Sequence, residues 1–129
     1  MEWPEIHNGK VVWLESLFID GKYYAEIMLY DGSQSRRITY NDYHEFLPKI
    51  HNGQITWEAQ IKSSDSGISI MEIFLYDGTK LIQLTNSGRN MAPEIDNGQV
   101  VWTGYDGNDY EIFLYDGAET EKLTDNDFD

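Results

Sequence analysis

The sequence predicts an all-β chain of three four-stranded antiparallel sheets, and three observations carry that reading. One pattern recurs three times along the 129 residues. Inside each copy the local signals are short β-branched or aromatic runs separated by tight-turn dipeptides. No segment shows helical periodicity over about ten residues.

The copies open as PEIHNGKVVW from Pro4, PKIHNGQITW from Pro48 and PEIDNGQVVW from Pro93, 44 and 45 residues apart. They continue as EIMLYDG (26–32), EIFLYDG (72–78) and EIFLYDG (111–117). They close on Ile38-Thr39, Leu84-Thr85 and Leu123-Thr124, with Asn41, Asn86 or Asn126 just beyond. Matches at so many positions in three copies mark a repeat architecture.

Each element can be justified in order from the third copy. Strand A lies around Pro93-Glu94-Ile95. Asn97-Gly98 follows, matching Asn8-Gly9 and Asn52-Gly53, and suits a two-residue hairpin whose central residues both need positive φ. Strand B is Val100-Val101-Trp102, β-branched and aromatic. Strand C runs from Glu111 to Tyr115, too short for a helix. Asp116-Gly117, like Asp31-Gly32 and Asp77-Gly78, is expected to turn the chain as Asn-Gly does. Strand D ends at Leu123-Thr124. Strand C is apolar at consecutive positions, so both faces of its sheet need cover, which a stack of sheets provides. Four-stranded repeats of this length read as β-propeller blades. The expected blades are 1–43, 44–91 and 92–129, together half of a propeller domain.

The pattern P-x-I-x-N-G-x-V-V-W, then E-I-F-L-Y-D-G, then L-T resembles the repeat of TolB-like β-propellers over essentially the whole chain. The family's turn after strand A usually reads Ser-Pro-Asp-Gly, whereas this chain has His-Asn-Gly or Asp-Asn-Gly. The resemblance implies a six-bladed ring and a binding or gating module, with no catalytic residues in the repeat.

Three blades do not close a ring. The link from Asn41 to Pro48 and the link from Asn86 to Pro93 each span seven positions. Joining Asn126-Asp127-Phe128-Asp129 to Met1-Glu2-Trp3-Pro4 of another copy restores the same spacing. The expectation is a six-bladed ring closed by head-to-tail homodimerisation, with Phe128, Asp129, Met1 and Trp3 at the inter-chain junction. A fragment excised or engineered at repeat boundaries would have the same ends.

The formal net charge of −14 repels phosphate backbones and anionic lipid surfaces, so neither nucleic acid nor membrane is expected as a partner. There is no cysteine, which excludes disulfides and thiolate metal sites. No signal-peptide pattern and no apolar run long enough to span a bilayer occurs, which leaves the compartment open.

Catalytic signals are absent: no Gly-x-Ser-x-Gly, no cysteine nucleophile, and histidines only at His7, His44 and His51. His7, His51 and Asp96 share one turn position and read as turn chemistry. The acidic turn YDGNDYE (105–111) offers Asp106 and Asp109 as calcium-type ligands. Lys22 replaces a ligand in the first copy, so no metal or other cofactor is expected. The strand B to strand C connections are longer in the first two copies, counting 13 and 15 positions from Trp13 to Glu26 and from Trp57 to Glu72, against nine from Trp102 to Glu111. Projecting hairpins on that side would join the inter-blade links in a binding face carrying Trp3, Phe18, Tyr23, Tyr43, His44, Phe46 and Arg89, suited to a protein or glycan ligand. Trp13, Trp57 and Trp102 recur at one position and are expected between blades. The functional expectation is a non-enzymatic binding or scaffold module that assembles from half-propellers; the alternative is a propeller lectin with equivalent saccharide pockets between blades.

Overall fold

The structure, a computed structural model, describes residues 2–40, 43–62 and 69–125. Its first sheet contains β1 (Glu2–His7), β2 (Lys10–Ile19), β3 (Lys22–Tyr30) and β4 (Ser35–Arg37). The second contains β5 (His44–His51), β6 (Gln54–Lys62), β7 (Ser69–Tyr76) and β8 (Leu81–Gln83). The third contains β9 (Asn90–Asp96), β10 (Gln99–Tyr105), β11 (Tyr110–Tyr115) and β12 (Thr120–Lys122). Each is an antiparallel meander in chain order. No helix occurs among the described residues, so none is long and apolar enough to cross a membrane. The third sheet opens at Asn90, ahead of the expected boundary at residue 92.

The two kinds of turn use different chemistry. Asn8, Asn52 and Asn97 each have φ 50°, and the glycines after them are also positive, as the two-residue hairpin requires. The Asp-Gly turns differ from the expectation. Only their glycines have positive φ, and each aspartate stays outside the left-handed region. The Asp31 carboxylate instead accepts the backbone N–H of Ser33 and Gln34, at 2.9 and 3.0 Å. Asp77 and Asp116 repeat that arrangement. The Asp31 N–H also donates to the Gln34 carbonyl at 3.1 Å, so side chain and backbone close the four-residue turn together.

The first strands of the sheets converge on one another. Lys49 Nζ of β5 lies 3.9 Å from Glu5 of β1 and 3.8 Å from Glu94 of β9. Each of these strands carries a register irregularity beside its proline. The residue before that proline is left-handed: Trp3 (φ 57°), Leu47 (φ 53°) and Ala92 (φ 57°). A bulge of this kind re-aims a strand and increases its twist.

The sheets stack by one rule. The β2–β3 register puts Val12 opposite Leu29 and Leu14 opposite Ile27, and these four are buried against the second sheet. They meet Ile55, Trp57 and Tyr76 of that sheet, with Phe74 beside them. The opposite face of the second sheet carries Ile73 and Leu75, which pack on Val100 and Trp102 of the third. An aliphatic face of one sheet therefore always receives the tryptophan face of the next.

Candidate functional site

Two kinds of feature lie at the end of the sheets that carries the β2–β3, β6–β7 and β10–β11 connections. One is a set of exposed aromatic residues. The other is a cleft between the second and third sheets.

β2 and β3 extend as a two-stranded ribbon closed by Asp20-Gly21, both with positive φ. Phe18 and Tyr23 stand on that ribbon with ring centroids 4.8 Å apart, and both are exposed. Lower on the same side, His44 lies between Tyr24 (5.7 Å) and Phe46 (6.4 Å). Arg89 lies over the Tyr105 ring at 4.5 Å. Among the expected binding-face residues, Phe18 thus pairs with Tyr23 and His44 with Phe46, while Arg89 stands over Tyr105. Trp3 is exposed at the start of β1. Tyr43 turns inward, packs on the layer between the first two sheets and approaches Phe74 at 6.3 Å. The junction residues Phe128, Asp129 and Met1 lie outside the described residues.

The cleft has a volume of about 770 Å³. Leu84, Thr85, Asn86, Ser87 and Asn90 form its wall on the second-sheet side and on the link to β9. Trp102, Tyr105, Phe113, Thr120 and Lys122 form the other wall, with Asp106 and Gly107 at the turn. Trp102 and Phe113 lie nearly parallel, at 10° and 6.0 Å. No cleft was expected here from sequence; the signal available was Gly88 at the link position held by Tyr43 in the preceding copy.

Asp106, Asp109 and Glu111 bring ligand atoms within 4.8 Å of one another beside this cleft. Asp106 and Glu111 already serve protein partners. Asp106 Oδ1 accepts the N–H groups of Asn108 and Asp109, and its Oδ2 accepts Lys122 Nζ at 3.0 Å. Those bonds, the backbone ones first, depress the Asp106 carboxyl to about 2. Glu111 Oε1 accepts Thr124 Oγ1–H. A cation here would have to displace Lys122, so the donor set fits calcium poorly.

Glu111 belongs to a buried pair that recurs in every sheet. Thr39 donates to Glu26, Thr85 to Glu72 (2.5 Å) and Thr124 to Glu111 (2.5 Å). The same threonine oxygens accept the N–H of Ile27, Ile73 and Ile112. The repeated Glu and Leu-Thr or Ile-Thr of the sequence are thus one structural lock. Burial raises the Glu72 carboxyl above its usual range, against the opposing bonds from Thr85, Gly88 and Asn90.

The turn histidines also have a role that spacing did not show. His7 Nδ1 accepts the N–H of Asn52 at 2.9 Å, and His51 Nδ1 accepts the N–H of Asn97 at 3.0 Å. The two rings pack against each other at 4.1 Å, tilted by 33°. Each histidine therefore ties its own sheet to the next one.

No protein-family model matches the chain, and no curated protein matches it. Solved structures do. The β-propeller domain of the Trilobed protease from Pyrococcus furiosus, which has an open velcro topology, matches 96% of this chain and 41% of its own at 11% identity, with a TM-score of 0.69.

The fold is that of a β-propeller.

Pyrococcus horikoshii acylaminoacyl peptidase agrees, over 96% of this chain and 21% of its own, at 15% identity and a TM-score of 0.70. A chain of the nidogen/laminin complex matches 91% of this chain and 44% of its own, at 18% identity and a TM-score of 0.51. At these identities the likeness establishes the propeller fold alone; the chain spans well under two thirds of each neighbour. The three sheets are then propeller blades, numbered in chain order.

The propeller geometry explains one departure from expectation. Trp57 and Trp102 are 1% and 3% exposed between blades, but Trp13 is only half-buried. Among the described residues no blade packs on its face of blade 1.

Proposed function

We propose that the chain is a non-enzymatic TolB-like binding module whose three blades are completed to a six-bladed ring by a second copy, joined head to tail. One observation carries this reading: the open faces of blades 1 and 3 are the two halves of the interface that the chain already makes between its own blades. Blade 1 leaves its tryptophan face bare, with Ile6 (71% exposed), Val11, Trp13, Met28 and Tyr30. Blade 3 leaves its aliphatic face bare, with Val101, Ile112, Leu114 and Leu123. Ile27 and Ile73, at the position of Ile112, are both 0% exposed, while Ile112 is 38% exposed. The same residue at the same place differs in having no blade packed on it among the described residues.

Polar groups at the rim follow the same logic. Asp96 holds in blade 3 the place of His7 and His51, and a carboxylate can accept the Asn8 N–H of a following copy as those histidines accept Asn52 and Asn97. Two closures would bury well over about 1,000 Å² of mainly apolar surface, the range of a stable interface. A net charge of −14 per chain opposes association, but charges farther apart than about 10 Å are screened at physiological salt.

The non-enzymatic reading is supported by where the recurring buried polar groups go. The Glu–Thr locks satisfy one another and a backbone N–H instead of converging on a shared cavity. The lectin alternative calls for equivalent pockets between all blades, whereas Tyr43 stands over Phe74 between blades 1 and 2.

Complementation tests the head-to-tail arrangement. Ile6→Glu blocks one face and Ile112→Glu the other. Each variant alone should sediment as a monomer. Mixed in equal amounts they should recover association, because one interface of the mixed pair is then wild type. Variants that each still assemble like the parent, or a mixture that stays monomeric, would refute the arrangement.

A further inference from the structure

We propose that the cleft between blades 2 and 3 binds an uncharged ligand carrying a phenol ring. This extends the binding reading above to a particular site and does not need ring closure, because both walls come from one chain.

The two inter-blade layers of the chain have the same floor. Trp57 and Phe74 lie at 10° and 5.9 Å, Trp102 and Phe113 at 10° and 6.0 Å. What lies above the floor differs. In the first layer the link residue Tyr43 packs its ring over Phe74. In the second layer the matching link residue is Gly88, and Phe113 becomes a wall of the open cleft. By the correspondence of Phe74 with Phe113, the cleft lies where the Tyr43 ring lies in the first layer. The chain itself supplies the model of an occupant: a phenol ring.

The link residue itself does not fill that place: Gly88 has φ +91°, where a side chain is strained, and a Cβ there would meet Ile70 Cγ2 at 3.3 Å, outside the lining of the cleft. A volume of about 770 Å³ accommodates more than one ring, so the phenol can be part of a larger molecule. The rim offers Asn86 and Ser87 as hydrogen-bonding groups, while Asn90 is buried and donates to Met71, Glu72 and Ser87. The charged residues of the lining, Asp106 and Lys122, pair at 3.0 Å and neutralise each other, which favours a ligand without net charge. The ring could be a free phenol or the tyrosine side chain of a peptide.

Backbone amide shifts of the full chain during titration with p-cresol, N-acetyl-tyrosine amide and maltose test this. Both phenols should saturably move the amides of Ser87, Gly88, Trp102 and Phe113, and maltose should not. Tighter binding of the tyrosine amide would assign a peptide source, and tighter binding of p-cresol a free phenol. Asn86→Trp, at the exposed rim, should weaken both by at least about tenfold. Tyr43→Gly should create a second site around Phe74 and raise the stoichiometry from one phenol per chain to two. If that variant does not fold, the parent titration and Asn86→Trp still decide. Absence of saturable shifts, shifts confined to other blades, or a response to maltose in place of the phenols would overturn the assignment. Sedimentation of the same samples separates the two proposals. A monomer that binds phenol removes only the ring, and a dimer that binds none removes only this site.

Discussion

Trp57 and Trp13 share a position in the repeat, yet their removal should have different consequences. Trp57 is enclosed by blades 1 and 2, so Trp57→Ala should leave a cavity and cost roughly 3–5 kcal/mol in urea unfolding. Trp13 lies on the open face, so Trp13→Ala should chiefly weaken association, measured as a lower sedimentation-average mass at a given concentration. Asp106 gives a second prediction. Its folded carboxyl is held at about 2, below the usual 3.8, so its turn contributes stability above pH 3.8 that is lost as pH falls toward 2. Carboxyl-carbon NMR shifts should place its titration near 2. Because its oxygens are taken by backbone N–H groups and Lys122, melting curves with calcium and with a chelator should superimpose. A calcium-induced rise of several degrees would contradict that account.

Between strands, the repeated Glu–Thr lock ties the end of each fourth strand to the third. Thr85→Val keeps the shape but removes the donor to Glu72 and the acceptor for the Ile73 N–H. Its cost should be roughly 1.5–3 kcal/mol by chemical denaturation, the scale of a hydrogen bond to a charged group. A neutral result would mean that the lock is incidental. Element order, turn positions and consecutive apolar residues in the third strands were all legible in the sequence, because each rests on local chemistry repeated three times. Other features rest on contacts between repeats and were not legible in this way. The Asp-Gly turns look like hairpin dipeptides in one dimension, but only their glycines are left-handed, and the carboxylate closes each turn together with a backbone bond. His7 and His51 read as turn residues, yet their acceptors serve a neighbouring blade 44 or more positions away. At the cleft, Gly88 stands where the preceding link has Tyr43, an exchange whose meaning appears only when Phe74 and Phe113 are seen as the same floor.

At the scale of the whole molecule, a stack of three blades has two end faces, and a ring has none. Apolar area returned from water at about 25 cal/mol per Å² favours any arrangement that covers both. A second copy does so with the same pairing of tryptophan and aliphatic faces that the chain uses twice internally. Folding and association would then be linked, so the melting temperature should rise with protein concentration. A tandem fusion of two copies should melt higher and lose that dependence. The most direct measurement is sedimentation equilibrium of the 129-residue chain at micromolar concentration. The account predicts a folded species with the mass of two 15.0 kDa chains. A folded, monodisperse 15.0 kDa monomer would contradict it.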